Sequence, residues 1–130
     1  MEKLNSMYCY NATLLRVVDG DTIDATIDLG FDVHVKKRIR LAGINAPESR
    51  TRNKVEKKLG LAAKERLIEL MDGAANVFEI ESKELGKYGR VLGVLYINKL
   101  SGKDVITQVC INDILVNEGH ATEYDGGKRI

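Results

Sequence analysis

The sequence predicts a mostly β, α+β fold: a five-stranded barrel with a helix between strands three and four and a short helix near the C-terminus. Three observations predict it. Residues 8–41 carry three strand-like runs separated by glycine turns. A single amphipathic stretch follows around Leu59–Met71. Two further β-rich runs come after it.

The first run, 8–18 (YCYNATLLRVV), is rich in β-branched and aromatic residues, and Asp19-Gly20 supplies a tight turn behind it. From Thr22 to Leu29 the pattern alternates, with Ile23, Ala25, Ile27 and Leu29 on the inner face and Thr22, Asp24, Thr26 and Asp28 on the outer. Gly30-Phe31-Asp32 turns the chain. Val33, Val35, Ile39 and Leu41 continue the inner face, and Lys37, which interrupts it, predicts a bulge. Pro47 ends the ladder and opens a polar loop. Leu59, Ala62, Ala63, Leu67, Leu70 and Met71 recur at three and four residues and predict a helix. Asn53 and Glu56 resemble a capping box at its start, although Gly60 argues for a later one; Asp72-Gly73 ends it. Val77–Ser82 and Val91–Asn98 read as strands four and five, with Leu85–Arg90 a loop or strand edge between them. Lys99–Lys103 makes a hairpin loop, and Asp104–Cys110 is a returning strand or a helix. Ile111–Glu118 is a short helix with Ile111, Ile114 and Leu115 inward, closed by Gly119. The stretch Ala121–Ile130 reads as a loosely ordered tail. This element order is that of the OB-fold, a Greek-key barrel that commonly binds oligonucleotides or oligosaccharides.

At 130 residues the chain reads as a single domain over 1–130, with its core at about 8–122 and a tail at 123–130. No apolar run approaches the ~18–20 residues of a membrane span. Met1–Asn11 lacks the apolar centre of a secretory signal, which predicts a cytoplasmic protein with no membrane partner. Cys9 and Cys110 are far apart and, with only two histidines, offer no zinc spacing; both read as buried thiols. The net charge of +1 conceals a cluster, because Lys36–Lys58 holds nine basic residues against Glu48 and Glu56. A window of +7 on a near-neutral chain suits a polyanion, and equally suits a solvated strand face plus a charged loop.

Chemistry concentrates in three short segments: Asp19-Gly20-Asp21-Thr22, Arg40 to Glu48, and Lys87-Tyr88-Gly89-Arg90. Alone, Asp21 reads as turn chemistry. In a barrel, however, the first turn and the loop after strand three leave the same rim. Asp21, the amide of Asn45 and the carbonyl of Ala46 then offer oxygen donors to one hard cation, and Glu48 reaches a water beside it. Arg40 and Arg90 offer planar guanidinium groups suited to phosphoryl oxygens.

In this order and spacing VVDGDTI, RLAGINAPE and KYGR, with INDILVNEGHA near the end, resemble the staphylococcal nuclease (thermonuclease) family over about residues 10–122. The form is similar to the short intracellular one of phages and prophages, without the long C-terminal helix of the secreted enzymes. The resemblance implies a Ca²⁺-dependent nuclease that hydrolyses DNA or RNA to 3′-phosphate ends. It implies Asp21 as a metal-binding carboxylate, with Asn45 and the Ala46 carbonyl completing the set and Asp19 in support. It implies Arg40 and Arg90 on the scissile phosphate and Glu48 as general base. Lys87 and Tyr88 match residues that hold a neighbouring phosphate, and Tyr124, allowing a one-residue gap, matches a tyrosine that contacts nucleotide. Asn45 departs from the family, which has Asp there. The alternative is therefore a weakened or inactive module that binds nucleic acid or protein. A monomer or weak dimer is expected, with single-stranded substrate favoured because an open groove stacks exposed bases.

Overall fold

The computed structural model describes residues 8–85, 91–100 and 105–124. Five strands close a barrel. β1 (Cys9–Asp19) pairs antiparallel with β2 (Thr22–Asp28) and, on its other edge, with β5 (Val77–Leu85). β2 pairs with β3 (His34–Leu41), and β5 with β6 (Val91–Leu100). A short parallel ladder between β3 and β6, from Ile39↔Val91 to Leu41↔Gly93, closes the ring and leaves no open edge at that seam. Two residues of β4 (Ile44–Asn45) lie between β3 and the helix α1 (Lys54–Asp72). β7 (Ile106–Cys110) extends the sheet beyond β6 and runs into α2 (Ile111–Asn117). β8 (Thr122–Glu123) pairs back onto β4. The expected OB-type barrel with two helices is therefore present, and Asp104–Cys110 resolves as a strand over its described part.

The core is the interior of the barrel plus one stripe of α1. Ile23, Ile39, Leu41, Leu67, Ile80, Leu95, Ile111 and Leu115 are all essentially inaccessible to solvent. Asn53 caps α1 as its side-chain oxygen accepts from the Val55 and Glu56 amides at 3.0 and 3.1 Å. Among the described residues no helix is long and apolar enough to cross a membrane.

Several expectations need correction. α1 buries Gly60, Ala63, Leu67 and Met71, whereas Leu59 is 55% exposed and Ala62 is exposed too. A hydropathy stripe gives glycine no weight, yet Gly60 is where the chain packs closest, so the true face is rotated from the one the apolar residues mark. The β2–β3 register runs unbroken from Thr22↔Arg40 to Asp28↔His34, so Lys37 makes no bulge. β3 meets β6 only over its last three residues, so Val33 and Lys37 lie beyond the closure and are exposed, as is Leu29 on the neighbouring strand. The bulges fall on β1 instead, at the register shifts between Leu14 and Arg16 and between Val17 and Asp19. Thr22, expected outside, is buried, with its hydroxyl on Asp21, and Ile114 is only half-buried while Asn112 is fully buried. Of the stretch read as a loose tail, Ala121 is buried and Thr122–Glu123 are paired. Cys9 and Cys110 are free thiols, half-buried rather than buried; burial raises the Cys110 pKa.

Candidate active site at the barrel rim

The bulge before Asp19 bends β1 into a two-residue turn, Gly20-Asp21, closed by the Asp19↔Thr22 pair. Gly20 is set by contact: a Cβ there would lie 2.6 Å from that of Ala63 on α1. The turn is thus pressed onto the helix, and Asp21 is carried inward to 7% exposure. Its carboxylate is well held. Oδ1 accepts from the Thr22 hydroxyl at 2.9 Å, and Oδ2 accepts from the Ala46 amide at 2.8 Å. The Asp21 carbonyl accepts from the Leu41 amide at 2.8 Å, which locks the turn to the end of β3.

Arg40 sits opposite Thr22 in the ladder and turns its guanidinium into the same corner. One terminal nitrogen donates to the Leu41 carbonyl at 3.0 Å. The other donates to Asn45 Oδ1 at 3.2 Å and stands 3.5 Å from Asp21 Oδ2. The guanidinium carbon lies 6.0 Å from the centre of the Tyr124 ring, near the outer limit of a cation–π contact. Tyr124 is brought there by the β4–β8 pairing and by its own amide, which donates to the Gly43 carbonyl at 2.8 Å.

The next segment is held from below. Asp19 Oδ1 accepts from the Ser49 amide at 3.2 Å and also from the Ser49 hydroxyl, so this carboxylate anchors the loop that carries Glu48. The Glu48 side chain is exposed at the rim, while its backbone lies on the helix at Gly60. A Cβ at residue 60 would come within 2.3 Å of the Glu48 carbonyl oxygen. From the other side Asn112 ties the fold to this corner. Its amide donates to the carbonyls of Ala42 and Gly93 at 2.8 and 3.3 Å, and its oxygen accepts from the Leu95 amide at 3.1 Å.

The structure thus joins Asp21, Arg40, Asn45, Ala46 and Tyr124 in one network, with Asp19 and Glu48 on the adjoining segment. Lys87, Tyr88 and Arg90 lie outside the described residues, as does the hairpin segment 101–104; Val91, which follows Arg90 in the chain, pairs with Ile39. Sequence reasoning assigned no role to Ser49, which lies outside every motif, or to Thr22 and Asn112, which lie within two of them; all three are polar residues that hold the site. It also treated Gly60 as a weakness of the helix; a glycine amid good helix formers was the available signal for a close approach.

Among the described residues no group of three or more His, Cys, Asp or Glu side chains could hold a metal ion. The donors expected of this corner are the Asp21 carboxylate, the Asn45 amide oxygen and the Ala46 carbonyl; the first two both contact Arg40, and Ala46 is bonded to Asp21 through its amide. All are oxygens, so in kind they fit a hard divalent cation, completed by water, with one anionic protein ligand.

The family model described as staphylococcal nuclease homologue matches residues 38–129, which includes Arg40 to Glu48 and stops short of the Asp21 turn. Among curated relatives, a micrococcal nuclease of Shigella flexneri is 34% identical over 117 residues, 88% of this chain and 59% of that protein. Protein ParB of Escherichia coli is 30% identical over 115 residues, 85% of this chain and 55% of its own length. The chain therefore spans a little over half the length of these two relatives. Matched over most of its length, and carrying that family's motifs on a closed barrel, the chain belongs to the staphylococcal nuclease homologue family.

Proposed function

We propose that the chain is a calcium-dependent nuclease that hydrolyses DNA or RNA phosphodiesters. The single observation that supports this most is the corner itself. A buried carboxylate from the first turn meets an arginine, an amide side chain and a backbone N–H from the Arg40–Glu48 segment at one rim, beside an exposed glutamate. Asp21, Asn45 and Ala46 would hold the ion, which when bound supplies Lewis-acid polarisation of a phosphoryl oxygen. Glu48 accepts a proton from the attacking water, its rim position leaving it open to solvent. Arg40 neutralises charge building on the equatorial oxygens, and Arg90 is assigned the second such role. Water adds to phosphorus in line, the P–O5′ bond breaks, and the products are a 3′-phosphate and a 5′-hydroxyl. Tyr124 backs Arg40, and Lys87 and Tyr88 are assigned to the adjacent phosphate.

One observation favours a second reading. Arg40 donates to Asn45 and leans on Asp21, so the arginine itself already offsets the single carboxylate. A module that binds nucleic acid without cutting it would need no more than this. Cleavage of single-stranded DNA across a calcium titration, with an EGTA control and Glu48→Gln alongside, separates the two. Turnover that rises with calcium, stops with chelator and falls by roughly 10²-fold or more in Glu48→Gln supports the enzyme. A folded protein that leaves DNA intact at high millimolar calcium overturns it in favour of the binding module.

A further inference from the structure

The β2–β3 hairpin reaches past the barrel. β3 meets β6 only from Ile39 to Leu41, and among the described residues no other strand lies on that side of β3. Two bonds at the closed end show where its backbone groups turn. The Leu41 N–H donates to the Asp21 carbonyl, on the β2 side, and the Ala42 N–H donates to the Gly93 carbonyl, on the β6 side. The β2–β3 ladder has no bulge, so the alternation carries down the strand. Val35 and Lys37 turn their N–H and C=O to β2, and His34 and Lys36 turn theirs to the open side. No described backbone group bonds them there. This is a sheet edge of the kind that templates another strand.

The tip of the hairpin is strained and exposed. Gly30–Val33 form a turn closed by the Val33 N–H, which donates to the Gly30 carbonyl at 2.9 Å. Its central residues, Phe31 and Asp32, both hold positive φ, 55° and 62°. Such a turn favours Asn-Gly, and a bulky phenylalanine there is an outlier. Nothing packs on Phe31 in compensation: it is 101% exposed, with Leu29 and Val33 beside it at 40% and 48%. Strain of that kind persists where a chain makes contact with another molecule.

Charge selects the kind of molecule. Arg38 is neutralised by Asp24, but Lys36 and Lys37 are exposed and, among the described residues, make no ion pair. Two copies of this chain pairing edge to edge would set these lysines against each other, which disfavours self-association. The same lysines favour an acidic strand. Asp28 and Asp32 lie at the turn end, so the acidic residues of a bound strand belong opposite Lys36 and Lys37 and its apolar end beside Phe31.

We propose that the open edge of β3 takes up an extended acidic segment of a partner protein as an added strand. The segment's backbone pairs with the N–H and C=O of His34 and Lys36, its carboxylates lie against Lys36 and Lys37, and an apolar residue covers Phe31. Along β3, His34 lies about 20 Å from Arg40, so the bound strand leaves the candidate site open. The inference does not rest on the nuclease reading.

The test is an NMR titration of the isotope-labelled full chain with the peptide Ac-EVEVEF-NH2, and with Ac-KVKVKF-NH2 as the control of opposite charge. In the free chain the His34 and Lys36 amides should exchange quickly with solvent, while those of Val35 and Lys37 are protected. The acidic peptide should slow exchange at His34 and Lys36 by about 10-fold or more, and the basic peptide should not. K36Q/K37Q should weaken acidic-peptide binding about 5-fold, since it removes both cross-strand charge pairs. Lys36→Pro deletes an N–H that faces the open side and spares the β2 ladder, so it should bind more weakly still with the fold intact. Phe31→Asn should weaken binding about 5-fold through lost apolar contact, yet raise the melting temperature, because asparagine suits the left-handed turn. An acidic peptide that leaves His34 and Lys36 unprotected overturns the proposal, as do equal affinities for the two peptides or wild-type binding by Lys36→Pro. Protection of the same amides by dT12 and not by the acidic peptide assigns the edge to nucleic acid and also overturns it.

Discussion

Replacing Gly60 with alanine should damage catalysis more than stability. Within the helix the change is favourable by ~1 kcal/mol, since alanine is the best helix former and glycine among the worst. The added methyl, however, would stand 2.3 Å from the Glu48 carbonyl oxygen, 2.4 Å from its carbonyl carbon and 2.7 Å from the Ser49 nitrogen. All three are backbone atoms, so no rotamer relieves the contact, and the loop must retreat by about 1 Å to reach the 3.4 Å of ordinary contact. Overpacking of this kind costs ~1–3 kcal/mol, so the net loss should be about 1 kcal/mol and the melting temperature should fall by roughly 4 °C. The same retreat carries Glu48 away from the Arg40–Asp21 corner and pulls on the Ser49–Asp19 bonds. A 1 Å misplacement of a reacting group costs about 10²-fold in rate. Single-turnover cleavage, measured well below the melting point, should therefore fall about 10²-fold in Gly60→Ala. Gly73→Ala is the control. Its φ of −62° is helical, and the nearest atoms to an added Cβ are at 3.6 and 3.7 Å, so it should be neutral or stabilising by ~0.4–1 kcal/mol with full activity. If Gly60→Ala melts lower but cuts at the wild-type rate, Glu48 is not the base whose position α1 fixes.

Asn45→Asp adds a second anionic donor beside Asp21, so the calcium midpoint for cleavage should fall about 10-fold, and calcium should raise the melting temperature more than in wild type; equal calcium dependence in both proteins removes Asn45 from the ligand set. Asn112→Ala leaves the Leu95 amide without its acceptor and the Ala42 carbonyl without its donor, for a loss of about 2–4 kcal/mol in urea denaturation, where a loss below 1 kcal/mol would contradict its anchoring role. Hydrogen bonding from Arg38, then from Arg16, holds the Asp24 carboxyl below its ordinary value of 3.8. A lowered carboxyl pKa gives stability that is present above the unfolded value and lost as pH falls through the folded one. Acid titration of the melting temperature below pH 3.8 should therefore be steeper in wild type than in Asp24→Asn, and superimposable curves would remove Asp24 from the acid limb.

The strands were legible because their signal is local. Ile23, Ala25 and Ile27 alternate with polar residues, and in a closed barrel that alternation has one solution. The bulges of β1 were not legible, since Leu15 and Val18 look like any other strand residues and only the pairing partner reveals the extra one. The helix face was misread for a related reason. Burial at Gly60 and Ala63 is fixed by what presses on them, the Glu48–Ser49 backbone and the Gly20 turn, and that information lies forty or so positions away for Ala63 and about a dozen for Gly60. The candidate site divides the same way. Motif spacing named Asp21, Arg40, Asn45, Ala46 and Glu48, the family resemblance added Tyr124, and all but Glu48 share direct contacts. What spacing could not give is direction. Arg40 might equally have faced solvent from the outer side of its strand, where alternation assigns it. It turns inward because the Leu41 carbonyl, Asn45 and Asp21 together offer three acceptors to one guanidinium. An arginine held in that way is pre-organised for phosphate at little entropic cost. Held by an amide in place of a second carboxylate, it gives up less when it shifts its bonds to an incoming phosphoryl oxygen. Under the proposed function Asn45 and Arg40 would then be a matched pair: the amide that would weaken the hold on a cation would also loosen the hold on the arginine, and the two effects would act on the rate in opposite directions.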